Sequence, residues 1–144
     1  METSLIEQLD KSRYNLLKWL AIGWTTWYGV YIAKELIKNG PIIKIMVLVG
    51  FIGWILYTIN LIKFFKLRKT INADSRLKEA LNNEMHYLYK LKSAFWGFGS
   101  ILVTLVIFIA ILSFYALPAM FICEITLFIG TVTTFVAALI YNKG

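Results

Sequence analysis

Charge is scarce in this sequence, and so are the residues that usually do chemistry. Of its 144 residues only 16% are Asp, Glu, Lys or Arg, against about 25% in a soluble domain. With 59% hydrophobic residues and a mean hydropathy of +0.68, an ordinary water-soluble domain of this size is excluded. Cys123 is the lone cysteine, so an internal disulfide and any multi-cysteine metal cluster are excluded as well. Set in an apolar run, it reads as a small packing residue. His86 is the lone histidine, which removes paired-histidine metal sites and weakens any catalytic triad. Nor is there a Gly-rich phosphate loop, a nucleophile with a base at useful spacing, or an acidic pair within the apolar runs. These gaps argue against an enzyme and call for neither cofactor nor metal.

What remains is apolar sequence in lengths that match a bilayer, whose core takes about 20 helical residues to cross. Residues 1–14 hold Glu2, Glu7 and Asp10 and lack a small-x-small cleavage site, so the first apolar run is expected to be retained. Ser4-Leu5-Ile6-Glu7 fits a capping box ahead of a short amphipathic segment, with a frayed terminus as the alternative. The first span is expected over 16–37 and the second over 41–65, separated by Asn39-Gly40-Pro41, where Gly accepts a left-handed cap and Pro opens the next helix. Residues 66–92 form the one long hydrophilic stretch. Within it Asn72-Ala73-Asp74 signals a helix start, and Leu77, Leu81, Met85, Leu88 and Leu91 follow at helical spacing. This predicts an amphipathic helix running unbroken into the third span. From Ser93 to Cys123 there is no charge, too long a run for one crossing; Pro118 divides it into spans at 94–115 and 119–141. The expected fold is therefore all-α: an integral membrane four-helix bundle of two antiparallel hairpins, forming one transmembrane domain over 1–144 with a cytosolic helical extension between the second and third spans.

Basic residues set the expected orientation. With the N-terminus inside, twelve Lys or Arg fall on inner segments, Lys143 among them, and only Lys34, Lys38 and Lys44 fall outside. Positive charge collects on the cytoplasmic side, so both termini are expected there, in a bacterial inner membrane.

Function must then come from the polar exceptions. Lys63–Lys92 carries eight basic residues against Asp74, Glu79 and Glu84. Lys66, Arg68, Lys69, Arg76, Lys78, Lys90 and Lys92 are candidates for holding anionic lipid headgroups, or an anionic ligand such as a nucleotide or single-stranded nucleic acid. Tyr87 and Tyr89 stand beside them, as interface anchors or as faces for stacking bases. In the fourth span, Glu124, Thr126, Leu127, Gly130, Thr131, Thr133, Thr134, Ala137 and Ala138 share one half of the helix, and Phe121, Ile125, Phe128, Val132, Phe135, Val136 and Leu139 take the other. That side either packs against helices or borders water. Glu124 is an intramembrane carboxylate. It either pairs with Lys34, Lys38 or Lys44, or forms an acidic ring at the mouth of an oligomeric pore, with Thr131 and Thr134 below it. Ala21, Thr25, Gly29 and Ala33 make a small-residue stripe for tight helix contact. Gly50, Gly53, Tyr57 and Asn60 on the second span and Ser93, Gly97, Ser100 and Thr104 on the third are expected to face each other.

In hydropathy and charge pattern the chain resembles the small membrane effectors of bacterial anti-phage defence, which couple a cytosolic nucleotide or oligonucleotide signal to membrane permeability. The resemblance covers layout and transfers no site residues. It implies antiviral defence by a homo-oligomeric ion channel gated by an anionic cytosolic ligand. The alternatives are a non-conducting scaffold that recruits a cytosolic protein, and a small transporter using Glu124.

Overall fold

A computed structural model describes residues 2–37, 40–81 and 84–142, with side chains for all of these except 2–4, 80, 84 and 85. Expectations resting on Lys38, Asn39 and Lys143, or on the side chains of Ser4, Glu84 and Met85, fall outside it. The described residues form five helices and no strand: α1 (Glu2–Leu36), α2 (Gly40–Ala73), α3 (Ser75–Leu81), α4 (Glu84–Leu112) and α5 (Ala119–Tyr141). The all-helical expectation holds. At 1.5 Å per residue, α1 and α2 are each about 50 Å long and α4 about 44 Å, well beyond a hydrocarbon core of about 30 Å.

Helix ends depart from the expected ones for local reasons. The N-terminal segment is continuous with α1, because nothing between Leu5 and Leu36 breaks a helix. α2 runs on to Ala73, past the expected end near residue 65, because Lys66, Leu67, Arg68 and Lys69 are good helix formers. It stops where Asp74 competes for the backbone. Asp74 Oδ1 accepts from the N–H groups of Arg76 (2.9 Å) and Leu77 (3.5 Å), capping α3. α4 begins at Glu84, so its first turns lie outside the apolar run, and whether α3 and α4 are continuous falls on the undescribed Asn82 and Asn83. Pro118 precedes α5 in extended conformation (φ −60°, ψ 133°), as its fixed ring favours.

α2, α4 and α5 are long and apolar enough to cross a membrane. α1 matches them in length, but its middle carries Gly23, Trp24, Thr25, Thr26, Trp27 and Tyr28 in place of aliphatic residues. The buried apolar set is small: Leu20, Ala21, Ile32, Ile71, Leu81, Phe108 and Ala137. Large apolar side chains point outward instead, with Ile45 64% exposed, Phe95 73% and Ile109 66%. A surface of that kind needs lipid or a partner around it.

The helices pack in the order α2, α1, α5, α4, with α3 laid across α1 and α2. α2 and α4 occupy the two flanks and do not pack along one another. This corrects the expectation that the small stripes of the second and third spans meet. Gly53 instead faces Thr26 and Trp27 of α1, and Gly97 faces Thr134 and Gly130 of α5. Backbones meet directly at these points. A Cβ on Gly23 would lie 2.6 Å from the Tyr57 backbone nitrogen, and one on Gly53 would lie 2.8 Å from that of Trp27. α1 and α2 run antiparallel through this contact, so the N-terminal part of α1 lies beside the C-terminal part of α2. Tyr89 stacks on Tyr141 at 5.9 Å, which brings the start of α4 to the end of α5. Arg13 reaches Leu81, so all these ends collect at one charged end of the molecule.

Gly53→Val is expected to cost about 1–3 kcal/mol, because backbone cannot give way as a side-chain tip can. Gly99→Val, where no atom lies within 4 Å, is expected to be near neutral. Thermal unfolding of the two variants in the same detergent checks this; equal midpoints would contradict the packing.

Candidate functional site

At the charged end, four helices enclose a cavity of about 480 Å³. Each contributes one cation: Arg13 from α1, Arg68 from α2, Lys78 from α3 and Lys90 from α4. Phe64, Leu67 and Ile71 line its apolar side, while Asn72 and Tyr87 add an amide and a phenol. No carboxylate is among these lining residues.

Arg13 ties the cavity together. Its Nη1 donates 3.0 Å to the carbonyl oxygen of Leu81, 68 positions along the chain. The guanidinium thereby ties α1 to the last described residue of α3. Leu81 beneath it is 2% exposed. Burial pushes the Arg13 guanidinium below its ordinary value, with Asp10 opposing the shift. Burial likewise pushes the Lys90 ammonium down, and repulsion from Arg13 and Arg68 adds to it. These cations thus oppose one another's charge across a partly desolvated space.

His86 sits beside this group. Its imidazole titrates below the ordinary 6.5, first because of burial and then through Arg13, while Asp10 and Asn142 pull the other way and Lys90 adds a little more repulsion.

Among the expected anion-binding residues, Arg68, Lys78 and Lys90 come together here. Lys66, Lys69 and Arg76 lie outside the cavity lining; they are exposed, as are Arg68, Lys78 and Lys90 within it. Lys92 turns to the Tyr141 ring, its Nζ 5.8 Å from the centroid. The two tyrosines separate: Tyr87 lines the cavity, and Tyr89 is committed to Tyr141. Arg13 counts in the sequence only toward orientation. Its part in the cavity has no signal in linear spacing, because it depends on how α1 and α2 align.

Within the apolar region, Glu124 is only 7% exposed, and its Oε2 has no hydrogen-bond partner. Tyr28 and Tyr31 of α1 lie within electrostatic reach of it. One turn along, Phe128 stacks on Tyr28 at 6.1 Å and also meets Gly29. Glu124 therefore lies against α1, on no open surface of the single chain. Of the lysines expected as partners, Lys34 lies over the Tyr31 ring at 5.8 Å. Lys44 is exposed on α2, which does not pack along α5. Thr131 and Thr134 donate to Leu127 and Gly130 of their own helix at 2.8 Å each, and Thr134 also packs against Gly97. Ser93, Ser100 and Thr104 of α4 likewise donate to carbonyls of their own helix, at 2.7 to 2.8 Å. These hydroxyls spend their protons locally, as helical Ser and Thr commonly do. In the α1 stripe Ala21 is buried, Thr25 and Ala33 are half-buried, and Gly29 abuts Phe128.

No group of three or more His, Cys, Asp or Glu suited to a metal occurs among the described residues. No family model, no curated protein and no solved structure matches this chain.

The His86 shift gives a pH dependence with a definite sign. A base held below its unfolded value favours the neutral folded form. Its contribution to stability is full above pH 6.5 and is lost as pH falls from there through the folded value. Thermal midpoints are expected to drop between about pH 7.5 and 5.5, and to drop less in His86→Gln; parallel curves would contradict the assignment.

Proposed function

We propose that the chain is a multi-pass membrane protein of four spans with both termini in the cytosol, and that the cavity at its charged end receives a phosphate-bearing anion. One observation carries the proposal: four helices each supply a cation to one recess, and no carboxylate is among its described lining residues. Gathering like charge there costs free energy, and a bound polyanion would return it. The volume is in the range of small-ligand sites, about 300–1,000 Å³. Two guanidiniums suit phosphate oxygens because their donors are forked. Tyr87 offers a face to a base, so a nucleotide or the end of an oligonucleotide is the favoured class.

Support for α1 as the fourth span comes from its position. It packs between α2 and α5, both apolar enough to cross a bilayer. A helix so flanked meets mainly protein at its middle, where its glycines and aromatic rings serve packing. The cytosolic assignment of the charged end follows the basic bias of the sequence.

Coupling to permeability would make this receptor an effector. The row of four helices encloses no axis of its own, so a pore would need several copies. A Glu124 ring would further need α1 and α5 to part, because the carboxylate is closed in against α1.

In nanodiscs of zwitterionic lipid, ATP is expected to bind, with inorganic phosphate weaker. Arg68→Ala and Lys90→Ala are each expected to weaken ATP about tenfold, and Lys66→Ala and Lys69→Ala by less than about twofold. Affinity should fall as salt rises. Absence of ATP binding, or equal losses from all four substitutions, would overturn the receptor reading. In dye-loaded liposomes, efflux triggered by ATP would support the effector form, and intact liposomes at saturating ATP would remove it.

A further inference from the structure

A second polar recess lies between α1 and α2 and shares no lining residue with the cavity above. Gln8, Lys11, Ser12, Asn15, Leu16 and Trp19 of α1 form one wall, and Leu56, Ile59, Asn60 and Lys63 of α2 the other. It is a shallow groove of about 590 Å³ open along its length.

The order of these residues is what gives it meaning. On α1 the lining passes from Gln8, Lys11, Ser12 and Asn15 to Leu16 and Trp19. On the antiparallel α2 it passes in the same direction from Lys63 through Asn60 to Ile59 and Leu56. Hydrogen-bond donors and positive charge therefore lie toward the charged end, and apolar surface lies toward the middle. The change occurs where the charge-free part of α2 meets Lys63, beside Trp19, a residue type that settles at the membrane–water boundary. Asn60, only 8% exposed, spends its amide nitrogen on the Leu56 carbonyl at 2.7 Å. The deeper floor is thus poor in donors, while two lysines stand at the rim and no carboxylate is among the described lining residues.

We propose that this groove seats an anionic phospholipid of the leaflet at the charged end. The phosphate lies between Lys11 and Lys63, with Ser12 and Asn15 as further donors. The glycerol and upper acyl chain lie along Leu16, Trp19, Ile59 and Leu56. An amphiphile matches the polar-to-apolar gradient, and its negative charge matches the lysines. A second copy of this chain would bring a basic surface against them, since the chain carries a net charge of +7. The site is separate from the cavity of Arg13, Arg68, Lys78 and Lys90, with which it shares no lining residue.

The test uses full-length protein in nanodiscs of equal phosphatidylglycerol and phosphatidylcholine, released into the gas phase for native mass spectrometry. Wild type is expected to retain one phosphatidylglycerol in preference to phosphatidylcholine. Lys11→Gln with Lys63→Gln is expected to cut that retention about tenfold or more. Lys66→Gln with Lys69→Gln removes the same charge elsewhere on α2 and is expected to leave it unchanged. Ile59→Trp, which fills the groove with both lysines intact, is expected to displace the lipid as well. Equal losses from the two lysine pairs would mean only a general surface attraction and would overturn the site. So would retention of the two lipids in equal amounts, undiminished binding in Ile59→Trp, or a lipid-free dimer. Arg68→Ala with Lys90→Ala is expected to leave lipid retention intact, so this site can fail or stand independently of the receptor cavity.

Discussion

The direct approach of the α1 and α2 backbones is the contact on which the rest of the structure depends. Gly23 and Gly53 let two main chains meet where any side chain would collide with backbone atoms. That contact fixes the alignment of two helices each about 50 Å long. From the contact between Gly23 and Tyr57, the chain travels the same distance toward the charged end to reach Arg13 on α1 and Leu67 on α2. Arg68 is thereby placed beside Arg13, and Lys63 beside the segment holding Asn15 and Leu16. A slip of one turn, about 5.4 Å, would take apart both the receptor cavity and the lipid groove. The α4–α5 hairpin repeats the device with Gly97 and Gly130.

Alignment also explains how polar groups are managed in an apolar chain. Hydroxyls in the spans donate to carbonyls of their own helices, so neighbouring helices can approach without leaving a donor unmet. Glu124 and Trp24 are exceptions: the Trp24 Nε1 donor is buried without a hydrogen-bond partner. Glu124 is held against the aromatic rings of α1, and its Oε2 is unpartnered. Most basic side chains, Lys34 and Lys44 apart, lie toward the charged end, where Arg13 does double duty. It donates to the Leu81 carbonyl and lines the cavity. Binding there would touch α1, α2, α3 and α4 together, a place from which a ligand can bias the relative position of whole helices. Such a bias needs differential affinity for two arrangements.

Much of the fold was legible in the sequence because it rests on local rules. Apolar run length marked α2, α4 and α5; Pro118 marked the start of α5; Asp74 marked the cap of α3. Less legible were the ends of α2 and α4, where charged but helix-favouring residues carry the helix past its apolar part. The order of packing was not legible at all. Small stripes on the second and third spans suggested a closed bundle, yet a stripe says only that something approaches closely, not which helix does. The site followed the same division. Arg68, Lys78 and Lys90 stood out as part of a basic stretch, but nothing in linear spacing separates them from Lys66, Lys69 and Arg76. Arg13 lies 55 residues before Arg68 in sequence, and only the α1–α2 alignment unites them.

Hydrogen–deuterium exchange of the full-length protein in nanodiscs, with and without ATP, addresses the central claim most directly. If the four-cation cavity is a phosphate receptor, ATP slows exchange in the stretches around Arg13, Phe64–Lys78 and Tyr87–Lys90, and leaves Ser100–Leu112 and Ala119–Gly130 unchanged. Exchange that is unaltered around those cations, or slowed to the same degree over the whole chain, would contradict it.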